Sequence, residues 1–322
     1  MCFKKLILIT IVIFVFIGIE TVNAQGTSDL TPIIEGADLG DMMVSSGQGS
    51  LIFEYIRVDS LSAKAQENDK IFVAGLSPGE EAVILNREQI EMSLAFNGPK
   101  IRCNENSLNR LPTGRSYKQN WQWAYNGEKM DLLRLDRLGK EGLIVPMGSI
   151  RTENVIPVHR FDPRFNGMEI LGTPVGTFLR GSLGDKNVEN IHIIGEEMQD
   201  GIICNVISGE IAETGNTVIV WLAPSLLYRP KHIEIKSSDS TIKIHNSFKE
   251  YTAGFLFPEL IVKKEFYIDK STNQEILYNI ETLTVKNDFN LNVELPNSFF
   301  EVEFPIGLMV YDFRTGEEFE VK

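Results

Sequence analysis

The side chains that could bind a metal ion or act in acid–base chemistry are few and widely spaced. The four histidines are His159, His192, His232 and His245. His232 and His245 lie on neighbouring predicted strands and could approach each other near Glu234, but a metal site would need at least one further ligand. The sequence therefore predicts no metal site, and solvent-facing histidines are the simpler interpretation.

Motifs of the common enzyme classes are absent from the chain. It contains no Walker A sequence, no G-x-G-x-x-G after a strand, no G-x-S-x-G and no H-E-x-x-H. The 44 acidic residues guarantee chance pairs of carboxylates, and nothing in their spacing selects a general acid and base. We therefore predict no cofactor and no covalent chemistry.

Aromatic side chains are the best candidates for ligand contacts. Trp121, Trp123 and Tyr125 fall on one face of a predicted strand, and Phe178 lies on the apolar face of a short predicted helix within residues 174–183. Such aromatic groups usually fill a core, but in a groove they could line a ligand site. These four residues are the candidate cavity-lining set, and core packing is the favoured alternative.

The first 24 residues have the order of regions typical of a secretory signal peptide. Lys4 and Lys5 precede an apolar run over residues 6–19, and residues 22–24 form a small-residue cleavage site. A retained signal anchor is the alternative, but the run is shorter than the about 20 residues needed to span a bilayer. We therefore predict export to the periplasm or the extracellular space, with no stable membrane span after cleavage.

The net charge of the chain limits the classes of partner that it can bind. Its 322 residues are 43% hydrophobic, which is typical of a globular protein with a sizeable core, and the formal net charge is −13. A surface this negative repels phosphate backbones and anionic lipid headgroups. We therefore expect no nucleic-acid partner.

Two cysteines lie outside the predicted leader. Cys103 and Cys204 each fall inside a strand-like segment. Because the predicted compartment is oxidising, the two thiols could pair as a disulfide. The alternative, two buried and unpaired cysteines that act as small apolar side chains, is favoured because a core of this size needs no single bridge.

Alternation of apolar and polar residues dominates the chain from residue 50 onward and predicts strands. The dipeptides Asn97-Gly98 and Asn126-Gly127 predict hairpins with type I′ turns, and Asp200-Gly201 predicts a third turn. Further strands are predicted at Leu51–Ile56, Ile191–Glu197, Ile202–Ile207, Thr217–Leu222, His232–Lys236, Thr241–His245, Leu260–Ile268, Glu275–Lys286 and Phe299–Phe304.

Helical patterns are scarce, so the protein is predicted to be mainly β. One short helix is expected at Thr31–Met43, inside a lead-in segment of residues 25–48, and another within residues 174–183. The absence of a linker or a repeat predicts a single domain over residues 49–322. A large antiparallel sheet with few helices must close as a barrel, fold into a sandwich, or curl into a half-barrel with a plug.

The turn Trp221-Leu-Ala-Pro224 is followed by a basic strand over residues 228–235. Together with several shorter pieces, this turn resembles exported proteins of the outer-membrane lipoprotein carrier (LolA/LolB-like) superfamily. In the commoner form of this turn, aspartate stands at the position of Ala223. The remaining pieces are Phe161-Asp-Pro163, Phe257-Pro258, Val262–Tyr267, Asn292–Phe299, Phe304–Gly307 and Val310–Asp312.

The resemblance implies a large curved antiparallel sheet, a half-barrel around an apolar cavity that a few short helices plug. It also implies a periplasmic carrier whose partners are lipid acyl chains or a lipoprotein. An envelope sensor or protein-interaction module on the same fold, with an envelope protein as partner, is the first alternative. A hydrolase or carbohydrate-active protein that uses Trp121 and Trp123 with a carboxylate is the second.

Overall fold

The structure is a computed structural model that describes residues 29–59, 83–110, 116–135, 146–152, 161–252 and 254–322. The predicted signal peptide and His159 lie outside these ranges, so export stays a prediction. In the described part of the chain, no helix is long and apolar enough to cross a membrane.

The described elements are mostly strands, as the alternation predicts. The helices are α1 (Thr31–Met42) and α2 (Val175–Leu179), with 3₁₀ turns at Pro224–Leu226 and Asn297–Phe300. The strands are β1 (Ser46–Asp59), β2 (Val83–Asn97), β3 (Lys100–Arg110), β4 (Ser116–Tyr125), β5 (Met130–Arg134), β6 (Met147–Arg151), β7 (Glu169–Ile170), β8 (Thr173–Pro174), β9 (Ser182–Leu183), β10 (Lys186–Gln199), β11 (Ile202–Ile211), β12 (Asn216–Ala223), β13 (Arg229–Lys236), β14 (Ser240–Thr252), β15 (Phe255–Asp269), β16 (Gln274–Val285), β17 (Asn290–Leu291), β18 (Met309–Asp312) and β19 (Glu317–Glu320).

Seventeen of these strands form one open sheet. Hydrogen bonding orders them β19-β18-β6-β5-β4-β3-β2-β1-β16-β15-β14-β13-β12-β11-β10-β9, and β17 pairs with β1 beyond the end of β16. Every described pairing is antiparallel except β6 with β18. The prediction of a mainly β protein with one large curved antiparallel sheet and few short helices is confirmed.

One face of the sheet carries the main hydrophobic core, and we call it the concave face. In β1, Leu51 and Phe53 are buried in this core, whereas Ile52 and Glu54 alternate with them on the convex face. The largest side chains of the core come from β2, β1 and β15 in the middle of the sheet, from the connection after β16, and from α2. Among them are Phe53, Phe96, Phe178, Phe257 and Phe289.

A small unit of short helices, turns and two-residue strands covers this core, and we call it the plug. It consists of α1 and residues 161–183. Ile33 and Ala37 of α1 are buried in the main core. Both residues belong to the predicted lead-in segment, and the domain boundary at residue 49 stays a prediction. The other plug residues buried there are Phe161, Ile170, Val175, Phe178, Leu179 and Leu183.

The two predicted helices are both present in the plug. The helix expected at Thr31–Met43 is confirmed as α1. The helix expected within residues 174–183 is shorter, because α2 ends at Leu179 and Gly181 then adopts a φ of +91°. A residue in this left-handed conformation stops a helix, and glycine adopts it without strain.

The first Asn-Gly hairpin forms, but its predicted turn type is wrong. Strands β2 and β3 pair up to Asn97 and Lys100, so Gly98 and Pro99 are the two turn residues. Gly98 has a φ of +55°, while Asn97 lies outside the left-handed region. The proline ring fixes φ near about −65° and excludes a type I′ turn at Gly98-Pro99. Positive φ at the first turn residue alone is the pattern of a type II′ turn.

The second Asn-Gly hairpin also differs from the predicted two-residue turn. Its loop has four residues, 126–129. The Asn126 side-chain oxygen accepts hydrogen bonds from the backbone N–H groups of Glu128 and Lys129, both at 3.0 Å. The asparagine therefore closes the loop with its side chain rather than with a positive φ. At Asp200-Gly201, by contrast, φ values of +50° and +78° form the expected tight turn.

The strand predicted at Phe299–Phe304 is wrong. Residues Asn297–Phe300 form a 3₁₀ turn that begins directly after Pro296, and Phe300 is buried. Pro296 lacks a backbone N–H group, and Pro305 ends the segment on its other side. The apolar residues of this segment therefore pack against the protein from a turn rather than from a hydrogen-bonded strand.

We predict that Gly49→Ala destabilises the sheet at its centre. A Cβ atom on Gly49 would lie 2.4 Å from the Cα atom of Phe289. The ring of Phe289 is fixed by stacking on Phe257 at 5.5 Å, so its backbone cannot retreat freely. Overpacking of this kind costs about 1–3 kcal/mol. A lower urea midpoint at unchanged slope would confirm the prediction, and an unchanged midpoint would contradict it.

Candidate ligand-binding cavity

A cavity of about 330 Å³ opens where the plug meets the rim of the sheet. This volume is at the small end of the range of ligand pockets, about 300–1,000 Å³. The residues around it combine apolar side chains with two carboxylates and two arginines. They are Gly40, Asp41, Met42, Val44, Ser45, Gly98, Pro163, Arg164, Phe165, Met168, Glu169, Pro174, Arg229, Phe257 and Pro258.

Glycine at two positions of α1 lets the helix lie against the loop between β12 and β13. A Cβ atom on Gly40 would lie 2.9 Å from the carbonyl oxygen of Leu227. One on Gly36 would lie 2.3 Å from the ring of Tyr228. Because the contact at Gly40 is with backbone, a side chain there would lift the end of α1 that borders the cavity.

Arg229 of β13 connects the sheet to α1. One of its terminal nitrogens donates a hydrogen bond to the carbonyl oxygen of Gly40 at 2.9 Å, and the other donates to the carbonyl oxygen of Leu256 in β15. Burial lowers the pKa of the guanidinium from its usual value, and the nearby Asp41 carboxylate partly opposes this effect. Arg229 therefore fastens the end of α1 to two strands at once.

A second connection runs from the plug to the β2–β3 hairpin. Arg164 donates to both carboxylate oxygens of the fully buried Asp162, at 2.6–3.0 Å, and its other terminal nitrogen donates to the carbonyl oxygen of Gly98 at 2.7 Å. The guanidinium carbon also lies 3.9 Å from the ring centroid of Phe96. The planar group is thus held by an ion pair, a carbonyl and an aromatic face.

A third connection is made by Asn246 of β14, which is fully buried. Its side-chain nitrogen donates to the carbonyl oxygen of Gly167 in the plug at 2.6 Å and to that of Pro230 at 2.8 Å. The three connections are directional hydrogen bonds to backbone carbonyls. They fix the orientation of the plug, whereas most of the surface that the plug buries is apolar.

Two carboxylates next to the cavity have raised pKa values. Burial and the neighbouring Asp41 and Asp162 carboxylates together raise the pKa of Glu169 to about 7, and Arg164 partly opposes them. Burial likewise raises the pKa of Asp41 to about 6. Asp41 is exposed to solvent in the structure, whereas Glu169 is half-buried, so desolvation acts more strongly on Glu169.

The four predicted cavity-lining residues lie elsewhere. Trp123 and Phe178 are buried in the main core, and Tyr125 packs against it. Trp121 is stacked on Arg134, whose guanidinium carbon lies 3.6 Å from the centroid of the indole ring. None of the four is among the residues that line the described cavity. Their role in ligand binding stays a prediction, and the observed contacts are those of packing.

The two cysteines are free and buried in the structure. Cys103 belongs to the main core, whereas Cys204 belongs to a separate cluster with Val206 and Trp221. Val206 and Ile207 are adjacent in β11 but belong to different clusters, so this second cluster lies on the other face of the sheet. The disulfide weighed from sequence is therefore not formed here, because the two thiols occupy opposite faces.

His232 and His245 are direct cross-strand neighbours, with ring centroids 6.3 Å apart. The Nε2 atom of His245 lies 2.9 Å from the Asp200 carboxylate, which also accepts a hydrogen bond from the buried Lys231 at 3.0 Å. Over the described ranges, no group of three or more His, Cys, Asp and Glu side chains is arranged to hold a metal ion. The pair instead packs beside Trp221, 4.6 Å from His232.

Sequence reasoning missed the arginines and carboxylates around the cavity. In the sequence, Phe161-Asp-Pro163 contributes only to the family resemblance, and the structure adds the contact of the next residue, Arg164, with Gly98. Arg229 has no local signal at all, because its partner Gly40 is 189 residues away. A polar residue at the end of a strand whose alternate residues face a core is a pattern that could have indicated Arg229.

No protein-family model matches the chain, and no curated protein matches it. Among the solved structures that are similar to it are a DUF1329 family protein and a lipoprotein. A DUF1329 family protein from Desulfovibrio piger has 13% identity, covers 84% of this chain and 97% of that chain, and gives a TM-score of 0.35. The Mycobacterium tuberculosis lipoprotein LppX has 12% identity, covers 84% and 99%, and gives a TM-score of 0.29. Likenesses this distant carry no functional argument.

Proposed function

We propose that the protein is an exported carrier that binds lipid or lipoprotein acyl chains in the hollow of its sheet, without covalent chemistry. The observation that supports this proposal is the plug. The apolar concave face is covered by this unit of short helices and turns, and a cavity lies at the seam between the unit and the rim. Among the described strand pairings, only the two-residue strand β9 joins the plug to the sheet, through β10, so a cover of this kind can move with little loss of strand pairing.

The cargo would enter at the seam and replace contacts that the plug now makes. Phe257 lines the cavity and stacks on Phe289 deeper in the core, so the cavity leads towards the aromatic part of the hollow. Each buried CH₂ group contributes about 0.8 kcal/mol. Burial alone could therefore hold a long acyl chain, which needs no nucleophile and no metal.

The predicted signal peptide and the resemblance to the lipoprotein carrier superfamily agree with this proposal. Periplasmic or extracellular location follows from the former, and lipid or lipoprotein cargo from the latter.

A second candidate function is an envelope sensor or interaction module. It is supported by the exposed apolar side chains at the C-terminal end of the sheet, Met309, Tyr311, Phe313 and Phe319. A stoichiometric protein partner recovered without lipid would favour this candidate over the carrier.

The carrier proposal is tested by lipid transfer. Purified protein lacking residues 1–24 is mixed with vesicles that contain NBD-labelled phosphatidylethanolamine at a self-quenching density, and uptake is measured as recovery of fluorescence. Native mass spectrometry then identifies the complex. We expect transfer to the protein at about one lipid per chain. No transfer and no bound lipid would overturn the proposal.

We predict that Val44→Trp reduces lipid uptake at least about tenfold. Val44 is 8% exposed and lines the cavity, so an indole in its place would fill the seam. Met42→Trp is a second variant at the more exposed mouth, in case Val44→Trp fails to fold. Ile194→Trp, at a 51% exposed position of β10, is the matched control. Equal uptake by all three folded variants would contradict a cargo path through this cavity.

We predict that Glu169 makes the protein less stable as pH rises. Its pKa of about 7 in the folded state exceeds the ordinary value of 4.5. The folded state therefore binds more protons between these values, and the stability present below about pH 4.5 is lost as pH rises through about 7.

The variant Glu169→Gln removes this titration and keeps the shape of the side chain. Relative to it, the wild-type melting temperature should fall by roughly 2–4 °C between pH 5 and pH 8, the shift that about 1 kcal/mol produces in a large domain. Subtracting the melting temperature of Glu169→Gln from that of the wild type removes the contribution of the other carboxylates, which both proteins share. Parallel melting curves over this pH range would show that Glu169 does not titrate as proposed.

A further inference from the structure

The convex face of the sheet carries a polar depression that has no part in the proposed cargo path. It lies over β1, β2 and β3 and has a volume of about 300 Å³. We call it the outer trough. Its floor consists of two cross-strand rows, which the register of the three strands sets. The first row is Gln48, Ala95 and Arg102, and the second is Ser50, Ser93 and Asn104.

The outer trough is deep because its central residues are small and its sides are raised. Ser93 and Ala95 of β2 leave space above the middle strand. Asp288 of the connection after β16 and Asn290 of β17 form one side, and Phe299 of the 3₁₀ turn forms the other. These segments pack against the sheet from different parts of the chain, so the depression is built by the fold and is not a gap within one loop.

Both sides are held by defined hydrogen bonds. Asp288 accepts from the backbone N–H group and the hydroxyl of Ser50, at 3.1 and 2.6 Å. Arg102 donates to the carbonyl oxygens of Phe299 and Glu301, at 3.1 and 3.3 Å, and its guanidinium carbon lies 5.3 Å from the centroid of the Phe299 ring. The lining groups are thus held in place before any ligand arrives.

The chemistry of the lining fits a ligand that both donates and accepts hydrogen bonds. The amide of Asn104 donates to Ser93 at 3.3 Å, while its buried oxygen has no hydrogen-bond partner among the described residues. The amides of Gln48 and Asn290 supply further donors and acceptors. One arginine and one aspartate balance each other in charge, so nothing selects an anion or a cation.

Two other classes of ligand fit poorly. Most of the residues that line the trough carry polar side chains, so an acyl chain would leave these groups without partners. An extended peptide cannot join the sheet here, because β1, β2 and β3 are each paired on both sides. A sugar suits the site because neighbouring hydroxyl groups match planar amides and carboxylates, while its C–H face can lie against Phe299.

We infer that the outer trough is a binding site for a neutral sugar. Asn104, Asp288 and Gln48 bind its hydroxyl groups, and Phe299 packs against one face of the ring. This site lies on the face opposite the cargo hollow, so it does not depend on whether the protein carries lipid.

The inference is tested by saturation-transfer NMR on protein lacking residues 1–24, with maltose, cellobiose and chitobiose as probes. We expect saturation transfer to at least one of the three disaccharides. Asn104→Ala should weaken this binding at least about tenfold. The matched control is Asn106→Ala, which changes an exposed asparagine two residues along the same strand and face, outside the trough. Circular dichroism verifies the fold of each variant.

Ser93→Phe is the second variant, because it fills the floor from an exposed position and leaves Asn104 in place. Loss of binding in Asn104→Ala or Ser93→Phe, with binding kept in Asn106→Ala, supports the site. Absence of transfer to all three disaccharides overturns the inference. So does binding that both trough variants leave unchanged, or that all variants weaken equally.

Discussion

The apolar concave face of a sheet with seventeen strands must be shielded from water, and no second sheet in the described part of the chain is large enough to do this. Curvature solves part of the problem, and one continuous cluster extends from Trp123 of β4 through Phe53 of β1 to Val218 of β12. The plug supplies the remaining cover. Its contribution is mainly hydrophobic and therefore non-directional, so other interactions must determine where it sits.

Buried polar groups fulfil this second role. Asp162 and Asn246 are both fully buried; Asp162 accepts hydrogen bonds within the plug, and Asn246 donates to Gly167 of the plug and to Pro230 of β13. A buried polar group that loses its partner costs about 1–3 kcal/mol, so a plug shifted by a few ångströms would be penalised at each connection. Arg229 adds a connection between α1 and two strands. The apolar contacts thus provide the burial, and the polar connections determine its geometry.

What the sequence predicts well is local. Alternation identifies strands such as β12 and β16, and Asp200-Gly201 forms the expected tight turn because no neighbouring residue opposes positive φ. At Asn97-Gly98 the following proline forbids it, and the turn moves by one residue. The contacts around the cavity are long-range: Arg229 meets Gly40, and Asn246 meets Gly167, only after the sheet has curved. No local pattern encodes such pairs, whereas the spacing of Trp121, Trp123 and Tyr125 on one face of a strand is visible in the sequence.

A small cavity is compatible with the proposed carrier function, because side chains of the plug fill the rest of the hollow. Phe178, Leu179, Ile170 and Val175 of the plug do so here. Full burial of four such side chains is worth about 6–12 kcal/mol, and an acyl chain of about 16 carbons is worth about 12 kcal/mol. Since these two terms differ by at most about 6 kcal/mol, the connections made by Arg164, Arg229 and Asn246, at about 1–3 kcal/mol each, are of the same size as the difference. A change of one or two kcal/mol in those bonds would then shift the balance between a seated plug and bound cargo.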